Sequence, residues 1–336
     1  MKSLKNLNTF GIDCHSNQLI RVQQPEDLAS VAYDEHNYLV LGGGSNVLFA
    51  DEIAPDILLM DNHAVIYQET DTWTRVTAQA GVNWHELVED SLDKGFSGLE
   101  NLALIPGNIG AAPIQNIGAY GVELCDRFIS LTAWDFDTKA FVTFNRADCQ
   151  FAYRDSYFKT AEGRRFCIWD VTLRLDRAFQ PVLDYHGLVE LAGTADLSAR
   201  QVFDRVCSLR RSKLPDPDVI GNAGSFFKNP IISDSHYQVL RNEFPSLVAY
   251  PQDGHCWKLA AAWLIDQAGF KGHSQGDAGV HDRQALVLVN RANATGRDIA
   301  QLAQYIQRSV NEKFNVLLEA EVNIITTNGR TTLDSI

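Results

Sequence analysis

The chain has 336 residues, a length that favours two or three domains, and its apolar, charged, proline and glycine contents suit a globular protein. Its 42 acidic and 29 basic side chains leave a formal net charge of -13, which argues against a general nucleic-acid binder but leaves room for a local basic pocket holding a small anion. No stretch approaches the length of a membrane span, and the opening residues lack the apolar run and small-residue cleavage site of a secretory leader. The six cysteines, Cys14, Cys125, Cys149, Cys167, Cys207 and Cys256, form no CxxC pair and no Cys/His cluster with zinc spacing. They read as free thiols of a reducing compartment, and no metal is expected.

Along the chain, Pro25 can occupy a first helical turn followed by the acids Glu26 and Asp27, with Leu28–Ala32 supplying an apolar side. Tyr38–Leu41 reads as a buried strand that runs directly into Gly42-Gly43-Gly44-Ser45-Asn46. Thr74–Ala78 alternates as a strand does. Asn83 and Glu86 form a capping box for a helix carrying Trp84, Leu87, Val88 and Leu92, which Gly95 stops. Phe128–Trp134 and Phe166–Leu175 read as strands, the second long and apolar enough to be central. After the proline-rich break at residues 213–217 come a helix at Lys258–Gln267 ended by Gly269 and a strand at Ala285–Asn290. A helix from about Gly296 to Lys313 follows, with Thr295 and Asp298 as caps and Ile299, Leu302, Ile306 and Val310 on one face. The elements make an α+β protein with no repeat of solenoid length.

Two glycine-rich segments stand out. Gly42, Gly43 and Gly44 permit positive φ and close backbone approach, and their amides can form an anion nest beside Ser45 and Asn46. The spacing is neither GxGxxG nor GxxxxGKS/T, so an ordinary tight turn and a phosphate site both remain open. The second segment, residues 105–121, holds four glycines and three alanines, so the chain can approach a large flat ligand. Gln115 and Asn116 within it can read polar edges or hold the loop.

These segments, together with TFGID, YRDSYFK, KLPDP, GNAGSFFKNP, KLAAAWLIDQAGFKG and FNVLLEAEV, strongly resemble the UDP-N-acetylenolpyruvoylglucosamine reductases across essentially the whole chain. The Tyr185-His186-Gly187 loop and the long third region favour the family's first structural type. The resemblance implies a cytoplasmic bacterial enzyme of peptidoglycan precursor synthesis, a UDP-N-acetylmuramate dehydrogenase. Its fold would be a multidomain α+β FAD-binding fold of the vanillyl-alcohol-oxidase kind with a separate α+β substrate domain. The implied division is residues 1–66 and 67–213 plus 315–336 for FAD, and 214–314 for substrate. Returning 315–336 to the middle sheet is part of that implication.

The resemblance further implies FAD, expected to be noncovalent, with NADPH as reducing co-substrate. Charge and hydropathy lead to no nucleic-acid partner and no membrane insertion, and a monomer is expected with the oligomeric state open. Gly42, Gly43, Gly44, Ser45, Asn46, Pro106, Gly107, Gly110, Ala111, Gln115, Asn116, Gly118, Ala119, Tyr120 and Arg210 are the implied cofactor residues. Ser225 is the implied proton donor to C2 of the substrate. By the same implication Arg154 pairs with its carboxylate, Glu321 polarises the carboxylate region or tunes the proton network, and Tyr185, Lys213, Asn229, Tyr250 and Gln284 bind it. The residues alone leave plainer roles open: a turn serine at 225, an Arg154–Asp155 ion pair, a surface lysine and packing tyrosines. Strand periodicity does not choose between Glu319 and Glu321. Ala320 stands where many relatives have proline. A flavin-dependent oxidase of a small alcohol or sugar and a noncatalytic UDP-sugar-binding protein are the alternatives.

Overall fold

The structure is a computed structural model that describes all residues, Met1–Ile336. The chain divides into two compact units, one of residues 17–44 and 55–212, the other of residues 1–16, 45–54 and 213–336.

The first unit carries two sheets. Leu19–Val22, Asp56–Met60 and Tyr38–Leu41 lie parallel, with Asp56–Met60 in the middle. Ile57–Met60 are all buried, as expected of a strand covered on both faces. The second sheet is antiparallel, in the order Ala140–Asn145, Phe128–Asp135, Phe166–Asp176, Trp73–Gln79, Val65–Glu69. The expected long apolar strand Phe166–Asp176 is central in it. Its buried Ile168, Val171, Leu173 and Leu175 pack into a core with Leu131, Trp84, Leu87 and Val88. Each such side chain contributes about 1.5–3 kcal/mol on removal from water.

Helix Trp84–Asp93 starts where expected, but only half the capping box forms: Asn83 accepts from the Glu86 amide at 3.1 Å. Gly95 ends it with φ +82°. The helix at Pro25–Ala29 is a short one, capped reciprocally by Gln24 and Asp27. A helix not anticipated, Ala199–Lys213, buries Val202, Phe203, Val206 and Cys207. Its start was marked in the sequence by Ser198 and Gln201, which bond each other's backbone amides reciprocally.

In the second unit, Gly221–Ser225, Val287–Asn290, Ala278–Val280 and Ser274–Gln275 form a sheet in that order. Cys256–Leu259 lies between Ile231–Ser233 and Ala249–Gln252 in another. Lys258, expected in a helix, is therefore on a strand, and the helix runs from Ala261 to Gln267. Helix Gly296–Phe314 has the full Thr295/Asp298 capping box and buries Ile299, Leu302, Ile306 and Val310 as read.

The end of the chain corrects an expectation. Asn323–Thr326 pairs parallel with Val47–Phe49 and antiparallel with Gly329–Thr331, and no residue after 314 joins the five-stranded sheet. Residues 315–336 thus remain with 213–314, and residues 1–66 are shared between the units. The alternation of buried Val316, Leu318, Val322 and Ile324 reports an extended chain with one covered face. The return to the middle sheet that the resemblance implied is therefore not made, and alternation by itself carries no information about the partner strand.

Candidate active site

The candidate residues fall into two groups, each within one unit. In the first unit the two glycine-rich segments meet. A Cβ on Gly43 would lie 2.9 Å from Asn108 Oδ1 and 3.1 Å from Gly107 Cα, so glycine is required there by the approach of one loop to the other. Gly110 lies against Ala80, whose Cβ would be 2.6 Å from an added Cβ. Residues 80–84 hold the second segment by a run of backbone bonds: Trp84 N to Gly107 O, Ile109 N to Val82 O and Gly110 N to Ala80 O, at 2.9–3.0 Å. Pro106 and Ala111 are exposed and Gly107, Gly118, Ala119 and Gln115 half-buried.

Asn116 holds the loop. Its buried side chain donates to Glu123 Oε2 at 2.7 Å and Ala152 O at 3.2 Å, and accepts the Cys125 amide at 3.0 Å. The chain then turns at Tyr120, φ +51°, whose ring stands edge-on to Tyr185 at 5.1 Å. Arg154 braces the same segment: its Nη2 donates to Gly118 O at 2.6 Å, while Ser156 Oγ donates to Ile114 O at 2.8 Å. The Asp155 carboxylate accepts the Ser156 amide. Arg154 is half-buried with φ +54° in the tight turn closed by the Ala152 and Asp155 backbones. Leu104, Asn116, Tyr120 and Arg154 are four of the nine non-glycine residues with left-handed φ, each costing on the order of 1–3 kcal/mol, so backbone strain is concentrated here.

Arg210 gives this region an uncommitted cation. Its Nε donates to Leu104 O at 3.2 Å, and no carboxylate pairs with it. Burial draws its pKa below the ordinary arginine value, and the Arg154 charge adds to the effect. The exposed Gly43 amide also donates to nothing in the chain. A guanidinium with both Nη groups unpaired, beside the entry to residues 105–121, fits a ligand with a diphosphate. FAD is such a ligand.

In the second unit Ser225 ends the strand Gly221–Ser225. A bulge in its pairing with Val287–Asn290 falls between Asn222 and Ser225, and Gly224 there has φ +69°. The Ser225 hydroxyl is half-buried and makes no hydrogen bond within the chain. Next to it, Phe226 O accepts the Glu321 amide at 2.8 Å, and Asn46 Nδ2 donates to Glu321 O at 3.3 Å. Ser225 and Glu321 are therefore joined through the backbone, and the Asn46 side-chain amide is tied to Glu321. Glu321 precedes the strand Asn323–Thr326 rather than lying in it.

Glu319 is exposed and pairs with Lys228 at 3.5 Å, which separates the two glutamates that periodicity left equivalent. Gln284 precedes the strand opposite Ser225, and its Oε1 lies 3.4 Å from the Leu286 amide. Asn229 Oδ1 accepts the Ala261 amide at 2.9 Å and so holds the start of helix Ala261–Gln267. Tyr250 and Lys213 are exposed.

Sequence reasoning missed the braces: Ser156, and His85, whose Nδ1 accepts the Leu104 amide. No local pattern signals them, because their partners lie 42 and 19 residues away.

Comparisons with known proteins place the chain in a family. Residues 18–143 match the FAD binding domain model, and residues 216–325 match the C-terminal domain model of UDP-N-acetylenolpyruvoylglucosamine reductase. The reductase of that name from Bordetella pertussis is 49% identical over 332 residues, covering 96% of this chain and 94% of that one. The one from Shewanella sp. (strain ANA-3) is 47% identical over 336 residues, 99% of this chain and 98% of that one. The crystal structure of the Thermus caldophilus enzyme (MurB) superposes with a TM-score of 0.67 at 24% identity, over 96% of this chain and 97% of that one, so the architecture is shared. With relatives this similar matching from end to end, and with both domain models matched, the chain belongs to the UDP-N-acetylenolpyruvoylglucosamine reductase family.

Proposed function

We propose that this protein reduces UDP-N-acetylenolpyruvoylglucosamine to UDP-N-acetylmuramate with NADPH and FAD, a step in peptidoglycan precursor synthesis in the bacterial cytoplasm. The observation that carries the reading is the near-full-length identity to reductases of that name. When bound, FAD supplies the hydride chemistry, from NADPH and then to C3 of the enolpyruvyl group. Residues 42–46, the 105–121 segment and Arg210 hold it. The proposed division of labour keeps residues 1–213 chiefly for FAD and 214–314 for the nucleotide sugar, with 315–336 supplying Glu321.

Ser225 delivers the proton to C2. A serine hydroxyl is a weak acid, and its target is a strongly basic, enolate-like carbon. Placement therefore matters more than acidity, and a hydroxyl with no partner in the chain is free to be aimed. The Arg154 guanidinium pairs with the substrate carboxylate as negative charge spreads onto it, its direction fixed by Gly118 O. Glu321 polarises the same region. Tyr185, Lys213, Asn229, Tyr250 and Gln284 contact the nucleotide sugar, with Asn229 doing so beside its helix-holding role. One site serving both substrates in turn gives ping-pong kinetics.

The test is anaerobic. NADPH should bleach the yellow protein, and UDP-N-acetylenolpyruvoylglucosamine should restore the colour. Protein that does not bleach, or that bleaches and stays colourless with the nucleotide sugar, overturns the reading. Recovery with oxygen alone would favour an oxidase.

A further inference from the structure

His85 lies in the first turn of helix Trp84–Asp93, and Arg210 near the end of helix Ala199–Lys213. Both reach the same residue. The Leu104 amide donates to His85 Nδ1 at 3.1 Å, and the Leu104 carbonyl accepts from Arg210 Nε at 3.2 Å. Leu104 is half-buried with φ +55°, a conformation a leucine does not keep unaided. It directly precedes Ile105-Pro106-Gly107, where the second glycine-rich segment begins. The His85 ring is stacked on Phe203 with centroids 5.4 Å and planes 8° apart, which fixes the direction of Nδ1. Trp84 adds to the hold, its Nε1 donating to Leu102 O at 2.9 Å.

We infer that His85 and Arg210 clamp Leu104 from both sides, and that His85 is a positioning residue for FAD, setting the entry of the 105–121 segment. The inference rests on reading that segment as part of the FAD site. Nδ1 accepts only while it carries no proton, so the clamp needs the neutral tautomer with hydrogen on Nε2. Protonation would point a donor at a donor. Burial lowers the His85 pKa, Arg210 and Arg211 of the facing helix lower it further, and Glu89 and Glu86 of its own helix oppose them. The Leu104 segment and Phe203 bring no charge to it. With the folded pKa below the ordinary histidine value, the clamp is whole at neutral pH. It opens as pH falls through that lower value.

Two substitutions separate clamp from packing. His85→Phe keeps a ring on Phe203 and removes the acceptor, whereas His85→Asn places an amide oxygen where Nδ1 was. His85→Phe should weaken FAD binding to the apoprotein by about tenfold, the scale of one buried amide left unpaired. His85→Asn should stay near wild type and lose the wild-type fall in FAD affinity at acid pH. Adding Leu104→Gly to His85→Phe should recover most of the affinity, because glycine holds a left-handed φ without a clamp. Hydrogen exchange at the Leu104 amide reads the clamp without flavin: protected in wild type, fast in His85→Phe. If wild-type protein binds no FAD, the functional reading falls, and the Leu104 exchange alone decides whether the clamp exists. Equal FAD affinity in wild type and a folded His85→Phe, no recovery with Leu104→Gly, or equal Leu104 exchange in both proteins would each overturn the inference.

Discussion

Residues 105–121 and residues 221–229 are both glycine-rich, but their polar groups are used differently. In the first, Asn116 bonds three partners, Gly118 O holds Arg154, Ile114 O holds Ser156, and residues 80–84 bind the backbone from behind. In the second, the Ser225 hydroxyl, the proposed proton donor, bonds nothing in the chain, although the residues around it are held by Phe226 N to Leu286 O and Glu321 N to Phe226 O. One region is a cradle braced by several bonds to its backbone and to Asn116, and its glycines let parts of the protein approach one another. The other is a rigid mount for a single uncommitted group. The way each region's polar groups are bonded distinguishes the two better than glycine content does.

The strongest way to break that contrast is Ser225→Ala. If the hydroxyl serves only the reaction, flavin content and bleaching by NADPH should stay near wild type. Recovery of colour with the nucleotide sugar should slow by roughly 100- to 10,000-fold, the usual worth of a positioned acid. Ser225→Cys, which keeps a proton to give, should be gentler. Rapid mixing of each half-reaction separately reads the result. Equal slowing of both halves would make Ser225 a positional residue, and no change in either would remove it from the mechanism.

Gly110→Val tests the opposite side. Its Cβ would meet Ala80 Cβ at 2.6 Å and Ala80 Cα at 3.1 Å, so the clash is with the protein itself. Stability should fall by about 1–3 kcal/mol or more from overpacking, and flavin content should fall with it. Gly110→Ala should be milder, and pairing it with Ala80→Gly should restore part of the loss by removing the nearer carbon. Denaturant midpoints and the flavin-to-protein absorbance ratio report both effects. Wild-type values for Gly110→Val would sink the packing argument.

The local elements were legible in the sequence because their signals are local. Thr295 with Asp298, Pro25 with its acids, and the apolar run at 166–175 each act within a few residues. The two loops were legible as special, but not the reason for their glycines, because Gly43 against Gly107 and Gly110 against Ala80 are contacts between segments. At the end of the chain the resemblance implied a return to the middle sheet, whereas Asn323–Thr326 pairs with Val47–Phe49, a partner far off in sequence that no local pattern names. His85 and Ser156 were invisible because a histidine in a first helical turn and a serine in a loop have ordinary local explanations.

Asn116→Ala sharpens the reading of the cradle. The substitution strips two donors and an acceptor from a buried position and leaves alanine at φ +41°. Leaving the Cys125 amide unpaired should cost about 1–3 kcal/mol of stability. The half-reaction rates per bound flavin should change far less than in Ser225→Ala. A folded Asn116→Ala with normal stability but a slow second half-reaction would move Asn116 from scaffold to chemistry.

The smallest effect expected is that of Glu319→Gln, and its smallness is the point. Glu319 and Glu321 are two residues apart, and strand periodicity treats them alike. The structure does not: the Glu319 side chain is 71% exposed and meets Lys228 at 3.5 Å, whereas Glu321 is half-buried and follows the Phe226 carbonyl beside Ser225. An exposed ion pair of that length is worth about 0–1 kcal/mol, screened further by salt. Glu319→Gln should therefore leave the denaturant midpoint, the flavin content and both half-reactions close to wild type. Glu321→Gln removes the carboxyl group beside the proposed proton donor, so its second half-reaction should slow while bleaching by NADPH persists. The pair controls for itself, since the substitutions are chemically identical and lie two residues apart. A slow Glu319→Gln beside a normal Glu321→Gln would reverse the assignment and show that the exposed ion pair, rather than the half-buried carboxylate, serves the reaction.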